Sequence, residues 1–514
     1  MRWLNGMRRC VTIAWLLAVC AITGFAQSDR GTLAGTILDN SGAVVPGATI
    51  TVTGAETGTV YNAVSSSAGA YRISEIRPGT YNIKAAATGF KTAERTGVVV
   101  QVNTVSSLDI TMAVGDTKET LTVVADAPTL QTESSEIGTV VTTKQIQDLP
   151  LSLSASSQSF LRSPESFVFL APGTAGPGTN SDHSSGGIFE SKIGGGQNFA
   201  TEVILDGVST QRADSGSAFD QTAPSVEALS EFKVLTATIP AEFGRTSGGV
   251  ESFATKSGTN KFHGTAFNFF RNDKLNANSW NNNFNGAPKG RDHQNDFGGA
   301  LGGPVWIPKL YNGKDKLFFF FSWEQYRNNL GKSNVNTLAT EAERSGDFTR
   351  LLGPGLTTGG PNPQPIINPC NGKQILQGEI FDPATTQVVG GQPCRLPFTV
   401  DNVIPSDRIS TVSKNNLQFL PVGSDTNGPG CNAPICNNFL FTAANPVRDT
   451  TMTVKIDFNV SQKGKAFFSY SSRDQEDLNG SQSLPRPVDP NFINSNFTHY
   501  VRFGYVRRGP QPAH

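Results

Sequence analysis

Reactive chemistry has few places to reside in this chain. Cys370, Cys394, Cys431 and Cys436 lie beyond the N-terminal apolar segment. Their spacing fits no zinc site, and an even number in an oxidising compartment suggests one or two disulfides. Cys431 and Cys436 enclose the tight loop CNAPIC, and Cys370 with Cys394 is a second candidate pair. None of His183, His263, His293, His499 and His514 has a Glu three or four places on, as a zinc-binding helical pair needs. G-x-S-x-G, P-loop, H-E-x-x-H and C-x-x-C patterns are missing as well. The chain therefore reads as a non-enzyme with no metal and no cofactor. Main-chain pairing is a different kind of chemistry, and Glu119, Thr120, Leu121, Thr122, Val123, Val124 and Ala125 offer it. A β-prone run on a flexible tether can complete the sheet edge of another protein.

These residues need elements to position them, and 514 residues imply several domains. Lys plus Arg total 42 and Asp plus Glu total 42, so no basic face points to nucleic acid. The N-terminus places Arg2, Arg8 and Arg9 before an apolar stretch from Val11 to Ile22, then Gly24 and Ala26. That is a secretory signal peptide over residues 1–26. A lipoprotein signal ending at Cys20 is disfavoured by Val19, where a small residue is preferred. No later apolar run is long enough for a transmembrane helix. From Gly31 to Val114, short alternating segments are broken by DNSG, VPGA and Pro78-Gly79. About seven strands at such spacing fit a β-sandwich.

The strings AGTILDNSGAVVPGATITVT and GAYRISEIRPGTYNIKAAATGFK resemble the carboxypeptidase regulatory-like domain, a transthyretin-type sandwich grouped with carbohydrate-binding-like folds. The resemblance implies no peptidase activity; it leaves open a spacer, a glycan-binding module or a partner-binding module. Further on, three motifs occur in order: Leu205-Asp206-Gly207, the strand Glu231 to Val234, and Glu242-Phe243-Gly244 followed by Gly248-Gly249-Val250 and Thr255-Lys256. Together they resemble the plug domain of TonB-dependent receptors. Leu235-Thr236 stands where that family usually has Arg-Gly. Asp206 and Gly207 are turn formers first, and Gly248-Gly249 permits a positive φ or a close backbone approach. By the same resemblance, residues 119–125 are a candidate TonB box, the segment that pairs with a periplasmic energy-coupling protein.

After Ser257 the pattern becomes that of barrel strands, which alternate over about ten residues. Candidates are 261–271, 296–307, 316–327, 450–460 and 465–473, with a weaker one at 497–506. Trp306, Trp323 and Tyr326 are the expected interface aromatics. The connections alternate long and short, as external loops and periplasmic turns do. QNDFGGALGGPVWIP and KLFFFFSWEQYR, behind a regulatory-like sandwich, resemble the Oar-like subgroup of TonB-dependent receptors. A plugged barrel of this class takes about 22 strands, so a fragment is expected.

The expected fold class is multi-domain and mainly β. A transthyretin/Ig-like β-sandwich (28–114) leads through a linker (115–128) to a mixed α/β plug domain (129–258). An incomplete transmembrane antiparallel β-barrel (259–514) follows, with its long loops outside. The implied function is energy-coupled uptake at the cell outer membrane. The implied partners are outer-membrane lipid, a periplasmic TonB-type protein and an extracellular ligand, with carbohydrate among the candidates. The alternative is an adhesion or assembly protein whose sandwich binds glycan or protein.

Overall fold

The computed structural model describes residues 29–116, 120–124, 135–149, 164–175, 192–197, 200–211, 223–284, 286–399, 401–461, 464–477, 483–489 and 494–507. The signal-peptide segment 1–26 lies outside the described residues, as do Glu119 and Ala125. The first unit has nine strands: β1 (Gly31–Asp39), β2 (Thr49–Gly54), β3 (Val60–Val64), β4 (Ala70–Ile76), β5 (Gly79–Ala86), β6 (Thr92–Val100), β7 (Val105–Ser107), β8 (Ile110–Met112) and β9 (Thr120–Val124). One sheet runs β4-β1-β7, with β8 also on β1, and the other runs β3-β2-β5-β6-β9. Alternation sends Leu33, Ile37, Ile50, Val52, Ile73 and Ile83 into the core between them.

A middle unit follows, with β10 (Ile137–Val141), β11 (Thr174–Ala175), β12 (Lys192–Ile193), β13 (Glu202–Leu205), β14 (Val208–Ser209), β15 (Leu229–Ala237) and β16 (Val250–Thr255). Its main sheet is ordered β10-β15-β16-β13-β14, with β13 parallel to β16 and the other pairs antiparallel. The helix Thr143–Asp148 starts with a capping box between Thr142 and Gln145. Phe232 and Phe253 stack in the core with centroids 4.7 Å apart. Between β13 and β14 the turn places Asp206 at φ 48° and Gly207 at φ 78°. A two-residue hairpin of this kind needs both angles positive, which Asp-Gly tolerates.

The third unit is one antiparallel sheet, β17-β18-β21-β24-β25-β26. It is built from β17 (His263–Asn272), β18 (Asp292–Pro304), β21 (Leu317–Asn336), β24 (Phe439–Asn459), β25 (Gly464–Asp477) and β26 (Asn494–Arg507). Two short hairpins decorate its connections, β19 (Trp306–Ile307) with β20 (Tyr311–Asn312), and β22 (Gln387–Val389) with β23 (Gln392–Cys394). Burial along β24 and β26 inverts the usual rule, while on β21 Phe318 and Phe320 share the buried face with Ser322 and Glu324. On β24 the polar Thr453, Lys455 and Asp457 are buried, whereas Ile456 is 37% and Phe458 40% exposed. On β26 Arg502 is buried and Phe503 is 74% exposed. Polar inside and apolar outside, at period two, is the arrangement of a sheet whose outer face meets lipid. Tyr326 departs from its expected place as an interface aromatic: it falls in phase with Ser322 and Glu324, so it is buried on the inner face.

β21 and β24 are also longer than alternation predicts, 20 and 21 residues, about twice what a tilted strand needs to cross a bilayer. Beyond Leu330 and Asn445 their register continues as a two-stranded ribbon from Gly331–Asn336 onto Phe439–Ala444, which carries the loop 337–438. The sandwich sits at the opposite end, beside the short connections. Asn459 donates to the Thr59 hydroxyl at 3.0 Å, the Asn260 N–H donates to the Glu56 carbonyl at 2.9 Å, and Arg77 pairs with Asp457 at 2.6 Å.

The sandwich also grips the middle unit through the turn after β6. The Val102 N–H donates to the carboxylate of Glu231 on β15, and Asn103 donates to the Ser252 hydroxyl on β16 at 2.8 Å. Burial pushes the Glu231 carboxyl up to about 7, because the Val102 N–H offsets only part of its lost solvation. An ordinary glutamate carboxyl titrates near 4.5, so relative to a solvated Glu231 the docked state holds an extra proton between those values. Docking is therefore strongest below about pH 4.5 and weakens as pH rises through about 7. Proteolytic release of the sandwich should be slower at about pH 5 than at about pH 8, and Glu231→Gln should flatten that difference. An unchanged pH dependence in the variant would refute the assignment.

Candidate functional site

The tip of the β13–β14 hairpin meets the hidden face of the six-stranded sheet. Leu205 is buried in the middle unit's core, and its neighbour Asp206 is turned out of that core by the positive-φ turn. The Asp206 carboxylate is held first by its own unit. It accepts from the Thr255 N–H at 2.8 Å and from the Thr255 hydroxyl at 2.8 Å. Two cations reach it from the sheet: Lys455 on β24 at 3.3 Å and Arg502 on β26 at 3.7 Å. Lys455 also donates to the Thr255 hydroxyl at 2.9 Å, so a proton-donating chain runs from Lys455 through Thr255 to Asp206. Arg502 spans the interface, donating to the Leu205 carbonyl at 2.9 Å and to Ser471 at 3.1 Å.

Burial alone would raise the Asp206 carboxyl, yet Lys455, Arg502 and the Thr255 donors together hold it below the ordinary carboxylate range. The site is therefore an ionised, buried clasp between two units. A hydroxyl–carboxylate contact also joins the two units, where the Ser225 hydroxyl donates to Glu324 on β21. Thr265 on β17 likewise donates to Glu227 at 3.3 Å. Where sandwich, middle unit and sheet meet, a cavity of about 460 Å³ is lined by Tyr61, Arg77, Tyr81, Glu231, Lys256 and Lys455 among others.

The other residues singled out in the sequence fall in three places. Phe243 packs in a small cluster with Ile204, Leu235 and Val250, while Glu242 and Gly244 are exposed. Gly248 and Gly249 act by close approach, without positive φ: a Cβ on Gly249 would lie 2.1 Å from Ile193 Cγ2. Cys370 bonds Cys394 and Cys431 bonds Cys436, both within the loop 337–438.

The run 119–125 differs from the expectation of an unpaired tether. Its described part, Thr120–Val124, is β9, paired parallel to Thr92–Thr96 of β6. The sandwich offers a free edge at β6, and a short β-prone run following closely in the chain takes it.

The cations of the clasp were not singled out by sequence reasoning. The signal was the string TVKIDFN, where Lys455 and Asp457 alternate with Val454, Ile456 and Phe458. Charge at period two within an apolar strand marks a face that does not meet lipid.

Residues 254–507 match the family model described as outer membrane beta barrel domain, and residues 32–113 match the carboxypeptidase regulatory-like domain. The chain is 26% identical over 336 residues to the TonB-dependent transporter Oar of Myxococcus xanthus, covering 63% of this chain and 30% of that protein. The chain thus spans about 30% of the length of that curated relative. Among solved structures, the siderophore receptor PirA of Acinetobacter baumannii aligns over 71% of this chain and 44% of its own, at 13% identity and a TM-score of 0.31. The ferric enterobactin receptor PfeA of Pseudomonas aeruginosa aligns over 66% and 33%, at 11% identity and a TM-score of 0.30. The two family models and the Oar match place this chain in the outer membrane, as a relative of the Oar-like TonB-dependent transporters with an N-terminal carboxypeptidase regulatory-like domain.

Proposed function

We propose that the chain works in energy-coupled uptake, with the middle unit as the plug of a barrel wall. The observation that carries this reading is the clasp of Asp206 with Lys455 and Arg502. A plug must be seated firmly and still be movable, and a few desolvated ion pairs at a hairpin tip meet both needs. Removing one partner of a buried pair costs about 3–5 kcal/mol, because the remaining charge is left uncompensated. A seated plug is therefore stable until work is done on it.

The work would come from a periplasmic TonB-type protein acting on residues 119–125, at the end where the sandwich and the short turns lie. The ligand would enter from the opposite end, past the disulfide-bonded loop 337–438. Its identity is left open: carbohydrate and other large nutrients fit the architecture equally. The placement of the sandwich supports an internal role over that of an exposed adhesin, since it contacts the middle unit and the short connections.

Two outcomes are expected. Asp206→Asn, which keeps the positive-φ turn, should lower the urea midpoint for proteolysis of the middle unit, by an amount equivalent to about 3–5 kcal/mol. Adding Lys455→Met should recover part of the loss, and an unchanged midpoint in the single variant would sink the clasp. A photo-reactive residue at Thr122 should form an adduct with the TonB-type protein in intact cells. Repeated absence of that adduct, with the protein present in the outer membrane, would sink the coupling role of residues 119–125.

A further inference from the structure

The linker and the sandwich are tied to the middle unit at one side chain. Lys233 lies on β15 with 1% of its side chain exposed. Its ammonium donates to Glu136, the residue just before β10, and to the Asn103 carbonyl of the sandwich at 2.5 Å. Asn103 stands at φ 45° and reaches β16 through Ser252, while its neighbour Val102 holds Glu231. One buried cation thus has an acceptor on the chain that leaves β9 and another on the sandwich.

The topology loads this cation in series with the linker. β9 is the edge strand of its sandwich sheet and β10 is the edge strand of the middle sheet, so the chain passes from one edge to the other. An edge strand has one neighbour and can peel without disturbing the interior. In chain order Glu136 and the edge strand β10 come after Thr120–Val124 and before any central strand of the middle unit. Once Glu136 leaves, Lys233 is a buried ammonium that has lost its hydrogen-bonded counter-charge and keeps only the electrostatic influence of Glu242, which is unfavourable. It can lose its proton, or it can draw water into the crevice. Either response weakens its hold on the Asn103 carbonyl.

We propose that Lys233 is a release knot: withdrawal of Glu136 by a pull on the linker undocks the sandwich from the middle unit. The direction of the pull rests on the coupling reading of residues 119–125; the knot itself rests on the contacts of Lys233. In this scheme Lys233 is a positioning residue, acting through Asn103 on the turn that also holds Glu231.

The test is amide hydrogen exchange on the whole chain in outer-membrane preparations, read at the segment containing Val102 and Asn103. Glu136→Gln should speed exchange there about tenfold or more, although Glu136 is not itself a sandwich residue. Lys233→Met should do the same, and the double variant should be no faster than Lys233→Met alone. Lys233→Arg, which keeps charge and donors, should stay near the parent. Unchanged exchange across Thr450–Asp457 on β24 reports an intact sheet in each variant. Should Glu136→Gln fail to fold, Glu136→Asp keeps the charge with a shorter reach and should give an intermediate rate. Parental exchange in Glu136→Gln, or effects of the two single variants that add in the double, would overturn the knot. That failure is separable from failure of the coupling reading, which is judged by the Thr122 adduct alone.

Discussion

Lys455 and Arg502 stand on the concealed face of a sheet whose other face is apolar, and neither can remain there as a lone cation. The inversion of burial makes this a general condition for the third unit. Asp449 answers Arg473 from the neighbouring strand, with contacts at 2.6 and 3.1 Å, so part of the charge is balanced within the sheet. The rest is balanced from outside it. Asp206 of the middle unit answers Lys455 and Arg502, and Arg77 of the sandwich answers Asp457. Each bordering unit thus contributes charge that the sheet's hidden face requires. Two units with cores of their own, and the sheet they border, are held in one arrangement by that requirement.

The two sets of contacts differ in kind, and the difference matters mechanically. Against the sheet, the middle unit places a full carboxylate between two cations with a hydroxyl between them, so separation strands several charges at once. Against the middle unit, the sandwich uses main-chain groups at Val102 and Asn103, an amide on Ser252, and one ammonium. Bonds of that sort contribute about 0.5–3 kcal/mol each. They also depend on a glutamate whose ionisation opposes docking near neutral pH.

Much of the arrangement is legible in the chain's own residues. The sandwich core follows from alternation, with Tyr81, Ile83 and Ala85 facing inward together. The hairpin at Asp206-Gly207 follows from what a two-residue turn demands of φ. The six long strands lie where weak alternation puts them, because the residues facing lipid must be apolar. Their full lengths are less legible. The ribbon beyond Leu330 is polar and rich in Asn and Ser, and only its partner strand makes it β. The pairing of β9 with β6 was equally hidden, since a strand's edge neighbour is chosen by tertiary geometry and not by local propensity. The role of Asp206 was hidden for a related reason. A residue that satisfies a turn locally shows nothing in its immediate sequence of Lys455, which it will meet 249 positions later, or of Arg502 beyond it.

The position of the sandwich follows from this difference in contact strength. It lies at the short-connection end and lines the cavity where the three units meet. Under the proposed uptake role, the sandwich would leave before the middle unit could be displaced in the same direction. On the proposed coupling, the weaker, pH-sensitive contacts with the middle unit and the Arg77–Asp457 pair belong to the unit that moves first, and the clasp at Asp206 belongs to the one that moves second. Reversing those strengths would commit the first work done on the chain to the middle unit's clasp, with the exit behind it still covered. On the proposed coupling, that order keeps Lys455 and Arg502 compensated by Asp206 until the last step, while Asp457 gives up Arg77 when the sandwich leaves.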